Sequence, residues 1–245
     1  MFLVVFYVYF MMWYGFCFVC WEMNRNMESP MKKHLAGLLA SMSLLATGHA
    51  TAAVFDFAAI ANGDITVSGI TGEQGAASFV LTVDGITLTA SALNGDYAYL
   101  DSFYNGNPGG LGVCGTLTGS AQCDPSSDDN VTFGETLFLS FDQPVTIDTT
   151  VMRNGTHGTS FTGNFELSID GGAAVSYGLT NIFDTNLTGT TFAFYNPNAG
   201  GSSGVSNDQQ FYLQSLTVNP VPVPAAVWLF GSGLLGLAAA ARRKA

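Results

Sequence analysis

The sequence predicts an all-β protein. It reads as an antiparallel β-sandwich of jelly-roll type, preceded by an N-terminal signal segment and followed by a single C-terminal transmembrane helix. Three observations lead there. Between residues 53 and 220 no amphipathic helical period of useful length occurs. The same span carries short alternating apolar and polar runs, punctuated by Gly, Asn and Asp. Charged residues make up only 10% of the chain, against 29 glycines and abundant Thr. That balance suits an extracellular β-protein better than a helical cytosolic enzyme.

Residues 1–22 are almost wholly apolar and aromatic, long enough for a membrane helix. They contain Cys17 and Cys20 as a C-x-x-C with no second pair and no His, to which no function is assigned. A complete signal peptide follows: Met31-Lys32-Lys33-His34, an apolar run over 35–46, then Ala50-Thr51-Ala52 as an A-x-A site. Cleavage is expected after Ala52, with Ala50 as the alternative. A signal peptide starting at Met31 makes residues 1–30 redundant. They read as an extension upstream of a true start at Met31 or Met27, or else as an additional membrane helix. The signal segment is then 31–52 and the exported body 53–220.

Within the body, strands are expected at 54–57, 64–70, 78–83, 86–92, 97–100, 135–141, 145–152, 164–169, 174–179, 190–195 and 211–218. Asp84-Gly85 is a two-residue hairpin signal, because Gly accepts the positive φ of a type I′ turn. Asp170-Gly171-Gly172 marks a second turn, and Asp142-Gln143-Pro144 is read as a break between two strands. The Gly/Asn/Ser stretch 196–208 reads as a mobile surface loop. Roughly nine to eleven strands at this spacing suggest two packed sheets, with Phe and Tyr inside and Thr and Ser outside. About 165 residues suffice for a self-standing core.

Charge is distributed unevenly. Of 18 acids, all but Glu22 and Glu28 lie in the body; of 7 Lys and Arg, only Arg153 does. The body therefore carries a formal charge of about −15. Such a surface repels nucleic acid and anionic lipid, and attracts cations or basic partners.

Cys114 and Cys123 are the only cysteines of the body. A close pair in an oxidising compartment is expected to form a disulfide, which for a loop of about 10 residues is worth on the order of 2–3 kcal/mol. Asp124, Asp128, Asp129, Asn130 and Glu135 follow at once. Four carboxylates and an amide can supply hard oxygen ligands to Ca²⁺, although the spacing is not that of an EF-hand. The alternative is a solvated acidic turn whose side chains bond their own backbone. No other cofactor is implied.

No catalytic residue is assigned. His157 is the body's only histidine and no G-x-S-x-G elbow occurs, so a polar loop residue is the simpler reading. Tyr97, Tyr99, Phe103, Tyr104 and Asn105, or Phe194, Tyr195 and Asn196, combine rings with amides as sugar sites do. They serve equally as core residues, and Trp13, Trp21 and Trp228 all fall outside the body.

The chain closes on Val221-Pro222-Val223-Pro224, an uncharged apolar run over 225–241, and Arg242-Arg243-Lys244. At about 1.5 Å per residue the run reaches about 25 Å, near the lower limit for a spanning helix. The basic stop stays cytoplasmic, which places the body outside the inner membrane. The two prolines keep the preceding backbone extended and accessible. The whole stretch VPVPAAVWLFGSGLLGL, with its basic stop, closely resembles the PEP-CTERM sorting signal in its VPxPAAxWLFGSGLLGL form. Val223 stands where the named form has a glutamate. The resemblance implies passage through the general secretion machinery, anchoring in the inner membrane of a Gram-negative bacterium, and processing by an exosortase near the Pro-x-Pro. It also implies a place at the cell surface or in the extracellular matrix, with exopolysaccharide or biofilm. The segments GLGVC, CDPSSDDNVTFGETLFLSFDQPV and NFELSIDGG resemble a pattern recurring in bodies that carry this tail, one with no established activity. The expected function is that of a structural or adhesive matrix component. The alternative is a Ca²⁺-dependent carbohydrate-binding module, and after it a secreted hydrolase.

Overall fold

The computed structural model describes residues 51–199 and 205–222. The extension 1–30, the signal segment up to Ala50, and the tail from Val223 onward lie outside the described residues. The body is all-β, as the alternating runs predict. Its strands are β1 Ala53–Asp56, β2 Gln74–Ala76, β3 Ser78–Val83, β4 Ile86–Ala92, β5 Tyr97–Asp101, β6 Gly110–Cys114, β7 Thr136–Arg153, β8 Asn164–Ile169, β9 Val175–Gly178, β10 Ile182–Tyr195 and β11 Tyr212–Pro220. One helix of five residues, α1 Phe57–Ala61, follows β1. Among the described residues no helix is long and apolar enough to cross a membrane.

All the strand pairs are antiparallel. They run in the order β2-β5-β6-β11-β7-β10-β8-β9, with β1 on β11 and the β3–β4 hairpin on β7. The first and last strands meet, Ala53 opposite Val218. Burial alternates along β3 and along most of β7, as a half-buried sheet requires. Phe55, Phe57, Phe165, Phe192, Phe194 and Phe211 lie wholly inside one core. Each such side chain contributes roughly 1.5–3 kcal/mol by leaving water.

The β3–β4 hairpin has its expected bounds, and Asp84 (φ 49°) and Gly85 (φ 82°) form the left-handed turn. Asp170 (φ 50°) and Gly171 (φ 70°) do the same between β8 and β9.

Several expectations are corrected. Residues 64–70 form only a Val67–Ile70 bridge around Ser68 (φ 53°) and Gly69 (φ 83°), since consecutive left-handed residues fold the chain back on itself. The expected strand 54–57 gives way to α1 at Phe57, where Asp56 Oδ1 accepts the Ala59 N–H at 3.0 Å as an N-cap. A helix of five residues is too short to show a period. β2, β6 and the first half of β10 had no expected counterpart.

β7 is one strand of 18 residues, not two. Pro144 lies where the β10 register slips between Gly189 and Thr191, and where β7 exchanges one neighbour for another. Leu137 to Phe141 pair with β4; Val145 to Arg153 pair with β11. The missing proline N–H thus falls at an irregularity and interrupts no ladder. Asn196, expected in a surface loop, is fully buried and donates to the carbonyls of Val131 (2.9 Å) and Gln209 (2.8 Å). Residues 200–204 lie outside the described residues.

β6 reads GLGVC, a poor strand by propensity, yet all five residues are buried. A Cβ on Gly112 would lie 2.1 Å from the Asp129 carbonyl oxygen. Neighbouring backbone therefore crosses this strand at a distance that only glycine permits.

Candidate functional site

Asp101 ends β5 and Gly110 opens β6, so residues 102–109 form the hairpin between them. Tyr104 and Asn107 exchange N–H···O bonds of 3.0 Å each. Asn105 (φ 51°) and Gly106 (φ 81°) occupy the tip, a tight turn of the primed type.

A second loop follows β7. Asn154 organises it: Oδ1 accepts from the N–H of Thr156 (3.0 Å) and of Gly158 (2.8 Å), and Nδ2 donates to the Ser160 carbonyl (2.7 Å). His157 N–H donates to the Asn154 carbonyl at 2.7 Å, and its φ of 62° belongs to the left-handed region. This backbone carries the imidazole inward, where His157 is only 5% exposed.

His157 Nε2 lies 2.7 Å from Asp101 Oδ2. Nδ1 lies 3.2 Å from the Asn107 carbonyl oxygen. The ring meets Tyr212 edge-on at 5.1 Å and a tilted Tyr104 at 5.8 Å. Tyr212, on β11, donates its hydroxyl to Asp129 Oδ1. Asp101 Oδ2 has no other polar partner, so His157 is what compensates its burial.

Electrostatics follow from burial. Burial opposes the charge on His157, but the Asp101 carboxylate, the Asn107 carbonyl and Asp129 outweigh it and hold the imidazole above its ordinary value. Asp129 is pushed up to about 6 by burial and by the charge of Asp101, against the pull of the Tyr212 bond. Burial likewise drives the Tyr212 hydroxyl well above its usual range. With both ring nitrogens facing acceptors, His157 is a clamp with no nitrogen left for general-base work. The expectation of an ordinary polar loop residue is therefore corrected: this histidine ties two loops together inside the protein.

The five oxygen donors proposed for Ca²⁺ are not brought together. Asp124 is exposed. Asp128 Oδ2 accepts from Gly115 N–H at 3.1 Å, Asp129 is held by Tyr212, and Glu135 Oε2 accepts from Thr132 N–H at 2.8 Å. Asn130 is buried at 3% exposure. Among the described residues no group of three or more His, Cys, Asp or Glu converges to hold a metal. Asp128, Asp129 and Glu135 accept from three different donors, and only that of Glu135 lies within the same turn. Glu135 is pushed up to about 8, first by burial and then by the charges of Asp128 and Asp96.

Cys114 and Cys123 form the expected disulfide, with Cα atoms 5.8 Å apart, packed with buried Tyr99 and with Leu117. The sugar candidates separate sharply. Tyr99 is buried, its hydroxyl donating to Glu73 Oε1 at 2.8 Å. Phe194 and Asn196 are fully buried, and Tyr97 and Tyr195 are half-buried. Phe103 (51%) and Tyr104 (58%) remain exposed, with Asn105 beside them.

Asp101, Asn107 and Tyr212 were invisible as partners of His157, because they stand about 50 residues away along the chain. Asn154, three residues before His157 in an Asn-Gly-Thr-His-Gly run, was the one local signal.

Nothing matches this chain among protein-family models, curated proteins or solved structures.

Proposed function

We propose that this chain is an exported surface or extracellular-matrix protein whose body is a structural or adhesive component. In this reading the C-terminal stretch is a sorting tail. The secretion machinery delivers the chain, the tail holds it in the inner membrane, and an exosortase processes it near Pro222-Val223-Pro224. Release at the cell surface, in contact with exopolysaccharide, follows. The body is read as a two-layer sandwich of jelly-roll kind, an assignment supported by the change of partners along β7.

One observation carries the reading. Among the described residues, the first strand begins and the last strand ends beside the two expected processing sites. β1 starts at Ala53, directly after the A-x-A site, and β11 ends at Pro220, directly before Val221-Pro222-Val223-Pro224. These two strands pair with each other, and the Val221 N–H makes a last bond of 3.0 Å to the Pro144 carbonyl. A domain whose two end strands pair in one sheet has its termini tied down by its own hydrogen bonds, which suits removal of flanking segments.

The test is intact mass of the protein from cells and from medium, with and without reductant. The expected species starts near Ala53, ends within 221–224 and gains two hydrogens on reduction. An added mass at the new C-terminus identifies covalent transfer. A species retaining 225–245 in every fraction overturns the sorting reading.

A further inference from the structure

We propose that the hairpin of residues 102–109 is a binding tip for an uncharged polysaccharide, with Phe103 and Tyr104 stacking on sugar rings and the Asn105 amide beside them. The proposal deepens the adhesive reading and rests on it only for the setting in which the tip would act.

Exposure is the first argument. Among the large hydrophobics exposed in the described residues, Phe103 and Tyr104 are the only two aromatics adjacent in sequence. Aromatic side chains carry more apolar area than other residues, and a consecutive pair left more than half exposed marks a contact surface.

Rigidity is the second. The tip is closed by the Tyr104–Asn107 bond pair and by the left-handed residues Asn105 and Gly106. At its base, a Cβ on Gly109 would lie 2.5 Å from the Asp101 carbonyl oxygen and 2.6 Å from that of Ser102. The Asn107 carbonyl faces His157 Nδ1, and the Tyr104 ring leans on the imidazole. A hairpin held this way, with Tyr104 against the imidazole, loses little conformational freedom on binding, which is how a small surface gains affinity.

Charge selects the occupant. The hairpin reads Ser-Phe-Tyr-Asn-Gly-Asn-Pro-Gly and contains no Asp, Glu, Lys, Arg or His. It presents aromatic faces, amides and hydroxyls, the combination that fits a ligand with apolar C–H faces and neutral hydroxyls. The carboxylate at its root, Asp101, is buried and paired with His157, so it offers no anchor to a cation. With sixteen acids and one arginine in the body, an anionic polymer is repelled.

The experiment is native affinity electrophoresis of the protein recovered from cells, its mass known beforehand so that failed processing and failed binding are read separately. Gels contain hydroxyethyl cellulose or dextran as neutral probes, alginate as an anionic probe, or no polymer. The expected result is retardation by a neutral probe and none by alginate. The F103A/Y104A double variant should lose about tenfold in affinity or more with an unchanged melting temperature. If the double variant melts lower, F103A and Y104A singly decide, since each side chain is more than half exposed. Free migration in both neutral gels, retardation by alginate alone, or equal retardation of wild type and variants would each overturn the proposal.

Discussion

His157 Nε2 lies 2.7 Å from Asp101 Oδ2, across a gap of 56 residues in sequence, with both side chains nearly removed from water. The pair joins the end of β5 to the loop after β7 and supports the exposed hairpin through Asn107. Its two members are unequal under mutation. Removing His157 leaves a buried carboxylate with no counter-charge, a change that costs about 3–5 kcal/mol in comparable pairs. His157→Ala should therefore lower stability by about 3 kcal/mol in chemical denaturation. Asp101→Asn in the same background should recover part of that loss. Equal stability of wild type and His157→Ala would show that the pair contributes nothing.

The same pair makes stability depend on pH. Folded His157 holds its proton more tightly than the unfolded chain does. Its contribution is therefore complete below the ordinary histidine value of about 6.5, and fades as pH rises through the higher folded value. A melting curve series from pH 6 upward should show this loss, and His157→Gln should flatten it.

Asp129 and Glu135 act in the same direction over a lower range. Both are held above their ordinary values, to about 6 and about 8, chiefly by burial. The folded state binds their protons more tightly, so stability falls from about pH 4 to 6 through Asp129 and from about pH 4.5 to 8 through Glu135. Glu135→Gln should remove the larger share, on the order of 3 kcal/mol between pH 5 and 8. A protein more stable at pH 8 than at pH 5 would contradict both assignments.

Reduction of Cys114–Cys123 frees a short loop that Asp128 also pins, through its bond to Gly115 N–H. The loss should be about 2–3 kcal/mol, a fall in melting temperature of about 5–10 °C. The fold should survive, because the pair packs in a small cluster with Tyr99 and Leu117, apart from the main core. Calorimetry with and without reductant gives the answer.

Two glycines should differ in their tolerance of alanine. At Gly112 the added carbon would meet backbone, the Asp129 carbonyl at 2.1 Å; at Gly75 it would meet the movable end of the Leu117 side chain at 2.4 Å. Gly112→Ala should cost about 2 kcal/mol or more, and Gly75→Ala clearly less. Thermal melts of the two variants suffice to compare them.

The elements legible in sequence were those whose signal is local. Asp84-Gly85 and Asp170-Gly171 specify their turns through two residues of positive φ, and the strands around the first alternate over six and seven residues. β6 was hidden because Gly112 answers to backbone crossing from the 124–131 loop and Gly110 to the β11 backbone at Leu213, contacts that leave no mark in its own composition. Pro144 suggested a break because the bulge that accommodates it is formed with β10, about 45 residues on. At the candidate site, Phe103 and Tyr104 were among several aromatic candidates, and only burial separated them from Tyr99 and Phe194.

By itself, the sequence determined the all-β class, the hairpin turns, the acidic body and the cysteine pair. Composition, period-two alternation and two-residue turns act over a few positions and need no partner. Only the tertiary structure decided that the acidic turn disperses its carboxylates, that one histidine becomes a buried clamp, and that one aromatic pair faces solvent. Those outcomes depend on which distant groups reach a side chain first. In an antiparallel sheet of this topology, that is set by register between strands far apart in the chain.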